Sequence, residues 1–227
     1  MSFLETLTRQ TVQLMPQTQA WAQGYRALQD VCKADEQAGR TVQHPTHVLD
    51  GKTIYRPLTV EENMLVRIGN WDLGVQWNDS CSAITYGPNG LFKISLVSDD
   101  LLRLPRDFNQ RTIYVDYDSL EVDGDNVKEF TRADMVSGHF LTDSQVKADP
   151  VWQFVAGNAL DQYVNRQWQG KKQDHTAMGT YLPYNPRVGE TRALFVINHY
   201  YSFLHGNYDL FSSDCGSFAR VVSIRAE

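Results

Sequence analysis

RALFVINHYYSFLHGNYDLFSSDCGSFARVVSIR, residues 192–225, is the stretch on which the fold turns. Its opening, RALFVINHYYSF, is a dense β-branched and aromatic run, and SFARVVSIR is a second. Both read as strands. Gly216 supplies the backbone freedom with which a turn enters the last of them. Two closing strands joined through a polar, aromatic loop imply a chain that ends in an antiparallel sheet.

The same stretch holds the residue types for nucleophilic catalysis. Cysteine chemistry needs a thiolate, an imidazole to take the proton and a group to orient the imidazole. Cys215, His199 or His205, and Asp214 supply these types, and Gly216 offers an amide for an oxyanion. The competing reading makes Cys215 a small residue at the entrance to a core strand, or a disulfide partner of Cys81. A different function follows from the aromatics. Tyr181, Tyr184, Tyr200, Tyr201 and Tyr208, with Asn185, Asn198 and Asn207, are rigid amphipathic rings and amides suited to a shallow surface for a small polar ligand, glycan, peptide or another protein. This binding reading demands less exact geometry than catalysis and is the preferred expectation. A cysteine-dependent acyl transferase or hydrolase is the alternative, and a structural or assembly role is a third.

Upstream, DPVWQFVAGNALDQYVNRQW carries Asp149 as a cap, Pro150 at the first helical position, and a broad apolar face from Trp152 to Val164. Thr142 with Gln145 marks a second cap, so residues 143–168 form an inserted αα unit. Residues 170–189 have no sustained periodicity and read as a long loop with room for short structured pieces. At the other end of the chain, Phe3, Leu7 and Leu14 recur at near-helical spacing. Trp21, Tyr25, Leu28 and Cys32 make a cleaner helical stripe after Pro16. Residues 1–40 are therefore expected to be a helical extension and 41–227 a mixed domain.

Between these parts, Asp50-Gly51 signals a hairpin and Thr59 with Glu62 a helix start. FKISLV alternates as a strand, and Ile113, Val115 and Tyr117 share a face before a turn at Asp123-Gly124. The helical start, central hairpins, inserted helices and strand-rich end give an α+β fold with a mainly antiparallel sheet. Regular β–α alternation is missing, which disfavours a doubly wound sheet.

The search for other chemistry removes several classes. No phosphate-cradling glycine motif, HExxH or GxSxG is present, and YGPNGLF has glycines without the accompanying lysine. His44 and His47 are a close histidine pair, but Pro45 disrupts helical geometry and no third zinc ligand has the right spacing. Asp116, Asp118, Glu121, Asp123 and Asp125 fail the EF-hand pattern and read as a solvated hairpin rim. Trp71 and Trp77 are read as core anchors ahead of ligand-lining rings. No metal or cofactor is expected.

Composition sets the remaining bounds. A hydrophobic fraction of 42% with 21% charged residues over 227 residues supports a folded core. A net charge of −6 without a long basic tract argues against nucleic acid. No apolar run is long enough for a membrane span. Cys32, Cys81 and Cys215 form no framework, so reduced thiols and a cytoplasmic location are the expectation. Asn78-Asp79-Ser80 matches a glycosylation acceptor, a pattern that matters only in a secretory setting. Aromatic patches left exposed would bury against a second copy, so a homo-oligomer stays open.

Overall fold

In the computed structural model, which describes residues 10–71, 78–136, 140–169, 177–183, 185–198, 202–205, 210 and 218–224, β1 (Gln10–Leu14) pairs antiparallel with β11 (Ala219–Ile224), Leu14 facing Ala219 and Gln10 facing Ile224. The helix expected from Phe3, Leu7 and Leu14 is therefore corrected over residues 10–14. QTVQL alternates, Val12 and Leu14 pack on the core, and the partner strand more than 200 residues away decides between two permitted periods. Phe3 and Leu7 lie outside the described residues.

Helix α1 (Trp21–Gln37) follows the expected stripe, with Trp21, Tyr25, Leu28 and Cys32 all fully buried. The β2 (Thr46–Leu49) and β3 (Lys52–Tyr55) hairpin turns at Asp50 and Gly51, whose φ values of 50° and 74° are those of a two-residue turn that follows the strand twist. Helix α2 (Val60–Gly69) starts with a complete capping box: Thr59 accepts from the Glu62 amide and Glu62 accepts from the Thr59 amide.

The main sheet has the order β7-β5-β4-β9-β10-β8, with β6 also paired to β9. Its members are β4 (Asn78–Tyr86), β5 (Leu91–Ser95), β6 (Ile113–Tyr114), β7 (Val127–Thr131), β8 (Met178–Tyr181), β9 (Glu190–Asn198) and β10 (Ser202–His205). All pairs are antiparallel except β8 with β10. In the chain, the short helix α3 (Asp99–Leu102) follows β5 and precedes β6. The α+β architecture, with a mainly antiparallel sheet and an inserted helical unit, is as the sequence implies. Strand alternation divides the core. Cys81, Ala83 and Ala193 pack with α1 on one face, while Ile84, Phe92, Ile94, Leu194 and Leu204 pack with α2 and residues 146–168 on the other.

Four local readings change. The strand expected through Ile113, Val115 and Tyr117 is two residues long: Val115 adds one more bond along β9, to the Gly189 carbonyl, and the chain then turns so that Tyr117 packs under Gly87. RALFVINHYYSF is two strands, since β10 folds back on β9 with Ser202 opposite Asn198. Part of the 170–189 loop is β8, whose pairing with β10 no local pattern announces. The long helix from Asp149 is broken: α4 (Asp143–Ala148) and α5 (Pro150–Ala156) precede a short 3-10 turn, and α6 (Leu160–Trp168) resumes after it. Gly157 adopts φ 45° and ψ −128°, and a Cβ there would lie 2.7 Å from Glu61 Oε1. That carboxylate instead accepts from the Asn158 amide at 2.8 Å. Both expected caps hold: Thr142 accepts from Gln145, and buried Asp149 accepts from Val151, Trp152 and Val136.

A register irregularity in β4 between Asp79 and Ala83 would strand polar groups in the core. Serine hydroxyls meet the need: Ser80 donates to the Leu194 carbonyl and Ser82 to the Leu96 carbonyl. The Trp21 indole N–H donates to the Ser80 carbonyl at 3.1 Å, fastening α1 to this bulge. Ser80, the hydroxyl residue of the acceptor triplet, is fully buried.

Candidate functional site

The C-terminal segment hangs on a series of fixed backbone points. β9 ends at Asn198, three residues connect it to β10, and β10 runs back until His205 lies opposite Phe195. On its other side β10 meets β8, with His205 opposite Tyr181. The next fixed point is buried Leu210, whose amide donates to the Arg111 carbonyl at 2.6 Å and whose carbonyl accepts from the Trp21 amide at 2.9 Å. Buried Phe218 follows, its carbonyl accepting from Met15 at 2.9 Å and its ring meeting Trp21 edge-on at 5.6 Å. β11 then completes the pairing with β1. Strand pairing and apolar burial thus hold the chain at residues 202–205, 210 and 218–224; residues 206–209 and 211–217 lie outside the described residues.

Of the residues singled out for binding, Tyr181 stands exposed at the end of β8, Asn198 ends β9, and Asn185 is exposed in a cleft beside the start of β9. Asn198 lies eight residues along the strand from Glu190, about 26 Å at the usual rise. The register therefore places Tyr181 beside β10, and the strand length separates Asn185 from Asn198. Tyr184, Tyr200, Tyr201, Asn207 and Tyr208 lie outside the described residues. So do Cys215, His199 and Asp214; His205 is placed by its backbone in β10.

The other two cysteines are buried free thiols. Burial pushes Cys32 up to about 11 and Cys81 up to about 12, so neither carries a thiolate near neutrality. His44 and His47 do not share a site. His44 is buried with Nε2 2.7 Å from the Arg56 carbonyl and Nδ1 accepting from the Val221 amide at 3.2 Å. One nitrogen donates and the other accepts, as only a neutral imidazole allows, and burial holds the group down at about 4. His47 pairs with Asp99 at 2.8 Å. The acidic residues do not rim a hairpin, because β6 pairs with β9 and β7 with β5; in this connection Asp123 Oδ1 accepts from the amides of Asp125, Asn126 and Val127, and these bonds hold its carboxyl below the usual range. Among the described residues no group of three or more His, Cys, Asp or Glu side chains is placed to hold a metal. Trp71 packs partly buried against Tyr163 at 5.7 Å with Arg166 over its ring; Trp77 lies outside the described residues.

No family model matches the chain, and no curated protein sequence matches it. The fold does have a solved counterpart. A structure described as "Accommodation of massive sequence variation in Nanoarchaeota by the C-type lectin fold" superposes with a TM-score of 0.59, covering 96% of this chain and all of its own, at 16% identity.

The chain has a C-type-lectin-like fold.

In this fold the paired strands β1 and β11 close the frame. No helix among the described residues is long and apolar enough to cross a membrane.

Proposed function

We propose that the protein is a ligand-binding or protein-interaction module of lectin-like fold, whose binding surface is built from the segment between β9 and β11 with Tyr181 at its border. The observation that carries this reading is the division of labour within that segment. Leu204, Leu210 and Phe218 are buried and hold the frame, and the sequence between these anchors is rich in residue types suited to recognition. Residues 198–218 include three Tyr, four Ser, two Gly and two Asn, and no Lys, Arg, Glu or Gln. Tyr contributes large contact area at low entropy cost and Ser, Gly and Asn contribute adaptable hydrogen bonding, the combination favoured in recognition loops. The solved counterpart is described as accommodating massive sequence variation by the C-type lectin fold, and a frame that tolerates variation supports a binding module.

Tyr200, Tyr201, Asn207 and Tyr208 are the residues assigned to contact, with glycan, peptide or a folded protein as ligand class. Screening the full chain against glycan arrays and displayed peptides tests this. A ligand retained by the wild type should be lost when Tyr200, Tyr201 and Tyr208 are changed to Ala, with the melting temperature unchanged. Retention by that triple variant would place recognition elsewhere. Turnover of an activated ester that disappears in Cys215→Ser would instead favour the cysteine route through His199 or His205 and Asp214.

A further inference from the structure

A separate cleft opens at the opposite end of β9 from Asn198. Its floor is Tyr86 and Phe92, both buried at the facing ends of β4 and β5. One wall is the tight turn Pro88-Asn89-Gly90, where Asn89 and Gly90 take φ of 55° and 78° and the Gly87 amide donates to the Leu91 carbonyl at 2.8 Å. The facing wall is the segment with Asn185, Pro186 and Val188, tied down by the Gly189 amide, which donates to the Tyr86 carbonyl at 2.7 Å. Arg132 stands at the end of β7 and donates to the Pro183 carbonyl, so its guanidinium is held at the cleft. The space is about 240 Å³. That is about eight water-sized volumes, smaller than a drug-sized site.

The charge of this cleft runs against that of the protein. The chain carries −6, yet among the described residues that line the cleft there is no carboxylate, and Arg132 carries the formal charge. Glu190, just behind the wall, is engaged: it accepts from the Arg192 Nε at 2.6 Å and from the Arg187 amide at 3.1 Å. Pro88, Leu91, Pro186 and Val188 give the rest of the lining an apolar character, and the Asn185 and Asn89 amides sit in the same lining. Walls held by backbone hydrogen bonds need little ordering when a ligand enters.

We infer that this cleft is a second binding site, distinct from the C-terminal segment, for a small carboxylate-bearing molecule with a compact apolar body, held by Arg132 with Asn89 and Asn185 and packed on Pro186 and Val188. A guanidinium matches a carboxylate in geometry as well as charge. Calorimetry on the full chain with benzoate, benzamide and inorganic phosphate as probes tests it. Benzoate should bind saturably and weaken with salt, while benzamide and phosphate should not bind measurably. Arg132→Gln should weaken benzoate at least tenfold. Asn89→Asp keeps a residue that tolerates the left-handed turn and places a carboxylate in the lining; it should weaken benzoate at least threefold without altering the circular dichroism spectrum. Changing Tyr200 and Tyr201 to Ala should leave benzoate binding as it was. Absence of saturable benzoate binding, equal binding of benzamide or phosphate, or wild-type affinity in both cleft variants would overturn the assignment.

Discussion

Arg56 grips Glu62 through two hydrogen bonds of 2.6 and 2.7 Å, with both side chains largely buried beneath the start of α2. Glu62 also closes the capping box, and the same guanidinium donates to the Pro57 carbonyl and reaches Cys81 Sγ at 3.7 Å. Removing the acid strands a buried cation, so Glu62→Gln should cost about 3–5 kcal/mol in urea unfolding. Replacing both members, Arg56→Met with Glu62→Leu, should cost less than the single change.

His44 sets a pH dependence. Its value falls from an ordinary 6.5 to about 4 on folding, so the unfolded chain takes up a proton that the native one refuses. Stability from this group is fully present above pH 6.5 and is lost as pH falls toward 4, on the order of 3 kcal/mol. Urea midpoints between pH 7.5 and 4 should decline more steeply for the wild type than for His44→Gln.

Gly157 should resist substitution. Gly157→Ala meets both the left-handed backbone and the Glu61 carboxylate, and a loss of about 2 kcal/mol is expected. In a Glu61→Ala background the same change should cost less, the backbone term alone remaining. Additive costs in the double-mutant cycle would show that the contact does not matter.

Lys93 is buried within the sheet and donates to the Tyr117 and Leu120 carbonyls at 2.7 and 2.8 Å, with the Tyr117 ring 4.3 Å from its ammonium. Lys93→Met removes the ammonium from the Leu120 carbonyl and leaves the Tyr117 carbonyl only the Leu120 amide at 3.4 Å, and should cost about 1–3 kcal/mol. Hydrogen exchange should quicken in residues 115–120 before it quickens in β5.

Thiol labelling separates the three cysteines. At pH 8 the thiolate fraction is about 10⁻³ for Cys32 and 10⁻⁴ for Cys81 from their raised values, before steric protection is counted. Iodoacetamide on the native protein should therefore add at most one label, at Cys215. Intact mass before and after reduction should be identical, apart from the label, if Cys81 is the free thiol seen in the fold.

What the sequence disclosed was local. The capping boxes at Thr59 and Thr142, the Asp149 cap and the Asp50-Gly51 turn are written within four residues each, and all are present. The Trp21 to Cys32 stripe was legible because one face carries the whole signal. β1 was not, because five residues of alternation acquire meaning only beside β11. The break at Gly157 depends on Glu61, nearly a hundred positions earlier. The same distance hid the cleft: Pro88-Asn89-Gly90 advertises a turn, but nothing nearby says that Arg132 and residues 185–188 fold against it. Tyr181 next to β10 is likewise a product of a parallel pairing that crosses over from outside the hairpin.

The antiparallel pairing of β1 with β11 has a mechanical meaning. Gln10 lies opposite Ile224, so the chain enters and leaves the pair at one end, and tension applied through both flanks loads the ladder one hydrogen-bonded rung at a time, as a zipper is opened, not along its length in shear. The rungs yield in order toward Leu14 and Ala219. Beyond them stand the Met15 to Phe218 bond and the Phe218 ring packed on Trp21. A pull on the ends would therefore release β11 from β1 while the seven-stranded sheet was still whole.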